Sequence, residues 1–101
     1  MANGNKKYAR RVPSGLTGPG AELWKKLMSQ FEVEDHEAAL VEQYCKLYSR
    51  IAELDKICDE KGLLLPSPQG ERVNPCLIES RQARLAMGRL ATTLKFPGVD
   101  V

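Results

Sequence analysis

The feature that most constrains this chain is a row of apolar side chains at Leu40, Tyr44, Leu47, Ile51, Leu54 and Cys58. They recur at spacings of four and three residues, the heptad rhythm that puts every member on one side of a helix. A second row, Val41, Cys45, Tyr48 and Ala52, lies beside it. A helix carrying a stripe this wide must bury it, against helices of its own chain, of a second copy, or of both. The seam therefore predicts one long central helix, from about His36 to Lys61, and at ~1.5 Å per residue it is roughly 39 Å long.

The flanking residues divide the rest of the chain. Leu23, Trp24, Leu27, Met28 and Phe31 repeat at helical spacing and predict a first helix from about Ala21 to Glu32, with Lys25 and Lys26 on its polar side. Asp35 is the expected N-cap of the second helix, with Glu37 at the positive end of its dipole. Gly62 ends it. Leu63–Leu65 and Val73 bracket a Pro/Gly-rich stretch, which reads as a short β-hairpin over residues 63–73. Two strands are marginal alone, so the hairpin is expected to pack on helices or to join hairpins of other copies. Asn74-Pro75 is a helix start, with Asn as cap and Pro at the first helical position. The third helix should run to about Lys95, with Ala83, Met87, Leu90 and Leu94 on its apolar side. The fold class is thus mainly α: a long central helix within a helical hairpin, and a β-hairpin between helices two and three.

Three parts follow: a basic N-terminal arm over 1–20, expected to be flexible, a helical oligomerisation domain over 21–96, and a tail over 97–101. The segment Ser14–Gly20 reads as a loop into the first helix. A core built from 101 residues buries a modest share of its surface, and self-assembly is a common remedy. Charge is unevenly spread. Residues 1–20 hold four bases and no acid, residues 21–61 hold ten acids against six bases, and residues 62–101 hold five bases against three acids.

Catalytic chemistry is not indicated. His36 stands among acids with no nucleophile or orienting partner in view. Cys45, Cys58 and Cys76 lack the close pairing of a zinc site and read as buried, reduced thiols. No phosphate-binding glycine loop is present. No apolar run is long enough to span a bilayer, and no apolar segment follows the N-terminal bases as a secretory leader would require. The expectation is a cytoplasmic, non-enzymatic protein with no catalytic residue, metal or cofactor. The candidate nucleic-acid residues are Lys6, Lys7, Arg10 and Arg11 of the arm and Lys25 and Lys26 of the first helix, whose charges supply a salt-sensitive, sequence-blind attraction to phosphate. Arg81, Arg84 and Arg89 could add a second contact. The candidate oligomerisation residues are the six of the seam.

One pattern runs through most of the chain. Gly18-Pro19-Gly20-Ala21-Glu22-Leu23-Trp24 opens the first helix, and Glu42-Gln43-Tyr44-Cys45 lies in the long helix. Gly62 and the hairpin follow, then Val73-Asn74-Pro75 before a last helix carrying Arg81-Gln82-Ala83-Arg84-Leu85. Over about residues 14–96 this resembles the small subunit of phage terminases. The resemblance implies a ring of several copies that binds double-stranded phage DNA in the host cell cytoplasm and presents it to the large subunit, which holds the ATPase and nuclease. It also implies modulation of those activities without catalysis by the small subunit. Longer members carry a C-terminal extension, so the tail Phe96–Val101 is one candidate for the large-subunit contact here. Two other readings fit the residues: a small oligomeric helical DNA-binding regulator, and a structural adaptor without nucleic-acid contact.

Overall fold

The architecture comes from a computed structural model that describes residues 10–95. The elements are α1 (Gly18–Gln30), α2 (Asp35–Lys61), β1 (Leu64–Ser67), β2 (Gly70–Val73) and α3 (Pro75–Leu94). The three helices and the antiparallel hairpin between α2 and α3 are those the sequence pattern implied.

Helix boundaries follow local chemistry. α1 starts earlier than the apolar periodicity suggests, at Gly18 rather than Ala21, because Pro19 fits the first helical turn and Thr17 is extended as the cap. The N-cap of α2 is Glu34, not Asp35. The Glu34 backbone N–H donates to Glu37 Oε1 at 3.0 Å, the return bond of a capping box. Asp35 is thereby freed to pair with Arg10 at 2.9 Å. α2 stops at Gly62, whose φ of 87° suits a residue without a Cβ, and its N–H closes on the Cys58 carbonyl at 2.8 Å. Asn74 caps α3 as the Asn-Pro pair indicated, its Oδ1 accepting from the Cys76 N–H at 3.0 Å.

α2 and α3 form an antiparallel helical hairpin, and α1 lies across the first half of α2. The core gathers where all three meet: Trp24, Leu27 and Met28 of α1, Val41, Tyr44 and Cys45 of α2, and Met87 and Leu94 of α3. Leu16 and Val33, from the segments flanking α1, complete it. The end of the arm that the structure describes is part of this body: Leu16 is buried and Val12 packs against the core. The rest of the arm, Met1–Ala9, and the tail from Phe96 lie outside the described residues.

The other half is thinner. Beyond Ile51 the packing is mainly α2 against α3, through Cys58, Cys76, Ser80 and Ala83, with Thr17, Gly18 and Pro19 at the start of α1 sharing only a surface cleft with Ala52, Glu53 and Lys56. The hairpin extends this slender end, pairing Leu64 with Val73, Leu65 with Arg72, Pro66 with Glu71 and Ser67 with Gly70. Its base is tied by backbone and side chain together. The Asn74 N–H donates to the Leu63 carbonyl at 2.8 Å, and Asn74 Nδ2 donates to the Gly62 carbonyl at 2.9 Å. The result is an elongated particle of 62 × 24 × 20 Å.

Candidate functional site

Two kinds of surface stand out, one apolar and one basic. The apolar one is unevenly placed. Among the described residues, the large hydrophobic side chains left exposed are Tyr48, Ile57, Leu63, Leu64, Val73, Ile78 and Leu85. All but Tyr48 fall between residues 57 and 85, in the thin half that α1 does not cover. Leu64 and Val73 are directly paired across the hairpin, which puts them on the same face of the ribbon. Ile78 and Leu85 are seven residues apart on α3, one above the other and opposite the buried stripe of Cys76, Ala83 and Met87. Neither α1 nor α2 covers this outer side of α3.

The heptad seam has a different fate. Tyr44 is fully buried and Cys58 nearly so, both inside the protomer. Leu40, Leu47 and Ile51 pack against the core from its margin, and Leu54 is half-buried. The seam is therefore directed mainly at α1 and α3 of its own chain. Tyr44 has no surface left for a neighbour, and Cys58 has little. Periodicity detects that a stripe must be buried but carries no information on whose side chains cover it.

The basic candidates divide similarly. Arg10 is engaged: its Nη2 donates to the Val33 carbonyl at 3.0 Å and to Asp35 Oδ1 at 2.9 Å, which fastens the arm to the α1–α2 connection. Arg11 is exposed. Lys25 and Lys26 stand on the outer face of α1. Lys25 reaches Glu22 only at 3.4 Å, and both partners are mostly solvated, so that pair leaves its charge available. Lys6 and Lys7 lie outside the described residues. On α3, Arg81 and Arg89 are exposed. Arg84 is committed to Asp55, with Nη2 to Oδ2 at 2.7 Å and Nη1 to Oδ1 at 3.3 Å. Ser80 joins the cluster, its hydroxyl donating to Asp55 Oδ1 at 3.1 Å and accepting from Arg84 Nη1. The guanidinium holds the Asp55 carboxyl below its usual range, against an opposing effect of burial, and the carboxylate raises Arg84 in turn. This is a cross-helix clamp between α2 and α3, so Arg84 has little freedom to meet phosphate.

Titratable groups with the geometry of catalysis are not assembled among the described residues. His36 is exposed at the start of α2, and among those residues no group of three or more His, Cys, Asp or Glu side chains could hold a metal ion. No helix among the described residues is long and apolar enough to cross a membrane. The strongest departures from ordinary acidity belong to thiols. Burial pushes Cys45 up to about 12, and the contact with Cys76, then burial, pushes Cys58 up to about 11. Raised values favour the neutral thiol, the reverse of what a nucleophile needs.

The pairing of Cys58 with Cys76 was not visible in the sequence, since their separation of 18 residues spans the hairpin. The one available signal was the hairpin itself, which brings its two ends together. Comparison with known proteins gives a family assignment. Residues 20–98 match the family model described as phage terminase, small subunit. No curated protein and no solved structure gives a significant match.

Proposed function

This chain belongs to the phage terminase small-subunit family, and from that premise we propose that it assembles into a closed homo-oligomeric ring that binds double-stranded phage DNA and delivers it to the large ATPase/nuclease subunit. It acts in the host cell cytoplasm, modulates the large subunit, and itself makes and breaks no bond.

The observation that carries the assembly is the concentration of exposed apolar side chains on the half of the protomer without α1. Six large hydrophobic residues on one slender end of a particle this small invite burial by a neighbour. Contact of that end with a different surface of the next copy is heterologous, and repetition of one such contact around an axis closes a ring. The partly exposed margins of Leu47, Ile51 and Leu54 are further contact surface on α2.

DNA binding rests on Lys25 and Lys26 of α1, on Arg11, and on Lys6 and Lys7 of the arm. Arg10 contributes by holding the arm in place through Val33 and Asp35. A few phosphate contacts per protomer are weak, but a ring multiplies them into avidity.

The test is twofold. Native mass spectrometry should give a species of many more than two chains; a dimer favours the regulator reading, and a monomer at high concentration removes the ring. Binding to duplex DNA should weaken steeply with salt. Deleting residues 1–9, which spares the Arg10 bonds, should flatten that dependence, as should Lys25→Ala with Lys26→Ala. Removing one phosphate-binding charge lowers the logarithmic slope by about 0.9. Unchanged affinity and slope in both variants would refute these residues as the DNA contact.

A further inference from the structure

We propose that Cys58 and Cys76 are an oxidisable pair, a clip at the base of the hairpin that a low-molecular-weight disulfide closes into a Cys58–Cys76 bond. The pair joins the last turn of α2 to the first turn of α3. Cys58 Sγ donates to Cys76 Sγ at 2.7 Å, and Cys76 Sγ donates to the Leu54 carbonyl at 2.9 Å. No atom stands between the two sulfurs. A disulfide needs them at about 2.0 Å, so closure requires only a small approach of side chains already aimed at each other.

The surroundings suit such a reaction. Both thiols are shielded, each 8% exposed, yet a surface cleft of about 480 Å³ opens onto Cys58 beside Leu77 and Arg81. A small oxidant therefore has a route to Cys58. Cys45 is different in kind: it is wholly buried in the three-helix core and has no thiol neighbour. The Cys76 contact, burial and, to a lesser degree, Asp55 and Asp59 disfavour the Cys58 thiolate, so the exchange is slow at neutral pH and quickens as pH rises.

The exchange balances without a further reagent. One thiol loses its proton and attacks the oxidant, RSSR, giving a mixed disulfide and releasing RS⁻. The second thiol, deprotonated, displaces the other RS⁻. The two protons end on the released thiols, so the net change is two protein thiols plus RSSR to one protein disulfide plus two RSH.

The bond would fix the neck from which the hairpin projects. Gly62 and Asn74 lie immediately inside the closed loop, where the Asn74 side chain already bridges to the Gly62 carbonyl. Because the hairpin carries Leu64 and Val73, two of the exposed apolar residues, closing the neck limits the directions in which that surface can be presented.

Oxidised glutathione added to the folded full-length protein is the test. The expected product has lost two hydrogen atoms in intact mass, contains a Cys58–Cys76 linked peptide, and retains Cys45 as a thiol alkylated only after unfolding. Its thermal midpoint should rise by roughly 10 °C or more, since the bond closes an 18-residue separation. Cys45→Ala should form the same bond, and Cys58→Ser or Cys76→Ser should not. A persistent glutathione adduct on either residue, a cross-link between chains through them, or two intact thiols after prolonged exposure would each overturn the proposal.

Discussion

Gly20 donates its backbone N–H to Ser49 Oγ at 2.7 Å, and the Ser49 hydroxyl donates in turn to the Thr17 carbonyl at 3.0 Å. The bond is possible because α1 approaches α2 without a side chain in the way. A Cβ at Gly20 would overlap the Cys45 carbonyl oxygen and Ser49 Oγ and stand 3.0 Å from Leu16 Cδ1. On helix propensity alone, Gly20→Ala gains about 1 kcal/mol. The overlap with a backbone carbonyl outweighs that gain, so the substitution should destabilise by about 1–3 kcal/mol in urea unfolding. A stabilised variant would mean that α1 does not sit where described.

Asn74 is 4% exposed and bonded on both sides. Its oxygen caps α3 at Cys76 N–H, and its amide nitrogen serves the Gly62 carbonyl that ends α2. Asn74→Ala should cost about 2–3 kcal/mol, roughly 1 for the cap and the remainder for a carbonyl left unpaired. Asn74→Ser keeps a cap oxygen but cannot reach Gly62, so its loss should be about 1 kcal/mol smaller by the same measurement.

The elements were legible because their signals are local. Asn74-Pro75, Gly62 and the Pro/Gly turn each specify backbone geometry within a few residues, and the structure places the helix start, helix stop and hairpin there. The seam was legible as a buried stripe, but its periodicity does not say how much of it the chain's own helices cover. Leu40, Tyr44, Leu47 and Ile51 face their own α1 and α3, because the Trp24–Leu27–Met28 face and the Met87–Leu94 face are together wide enough to cover the first half of α2. The cap falls at Glu34 rather than Asp35 because Glu37, three residues on, returns a bond to the Glu34 N–H and completes a capping box, which leaves Asp35 to pair with Arg10. Gly18-Pro19-Gly20 read as loop because glycine and proline weaken helices, whereas here proline occupies a first-turn position and Gly20 is required by a tertiary contact. Of the candidate site, the exposed positions of Arg11, Lys25 and Lys26 match their polar setting, but the Arg84–Asp55 clamp and the thiol pair depend on helices meeting across the hairpin, which no local pattern encodes.

The Asp55–Arg84 clamp carries a pH signature. Asp55 is held below its usual range chiefly by the Arg84 guanidinium, with the Ser80 hydroxyl assisting. A depressed folded value means that its stabilisation is present above the unfolded carboxyl value of about 3.9 and is lost as pH falls through the lower folded value. Both groups are about half exposed, so the coupling is modest. A double-mutant cycle with Asp55→Asn and Arg84→Gln should give up to about 1 kcal/mol at pH 7 and almost none at pH 2. Coupling that persists undiminished at pH 2 would show that charge is not its source.

At the alkaline end the sign reverses. Cys45 is fully buried, and burial pushes its thiol up to about 12. A raised folded value leaves stability intact below the unfolded thiol value of about 8.5 and removes it as pH rises toward the folded one. Each pH unit above about 9 should then cost about 1.4 kcal/mol for this group. Tyr44, raised by burial and by its neighbour Cys45, adds to the loss at higher pH. Denaturant midpoints measured from pH 7.5 to 9.5 should fall less steeply in Cys45→Ala than in the unsubstituted protein. Parallel curves would place Cys45 in contact with water.

Ile51 and Leu85 separate folding from assembly. Ile51 packs at the edge of the protomer core, so Ile51→Asp places a carboxylate against that apolar cluster and should cost about 3 kcal/mol of protomer stability. Leu85 is 56% exposed on the outer face of α3, opposite the buried Met87. Leu85→Asp alters a mostly exposed side chain and should change protomer unfolding by no more than about 0.5 kcal/mol. If the apolar thin half is the surface a neighbour buries, the same substitution should shift sedimentation from a large assembly to single chains while far-ultraviolet circular dichroism stays unchanged. The opposite pattern, an intact assembly in Leu85→Asp and a folded but dissociated chain in Ile51→Asp, would return the contact to the heptad seam of α2.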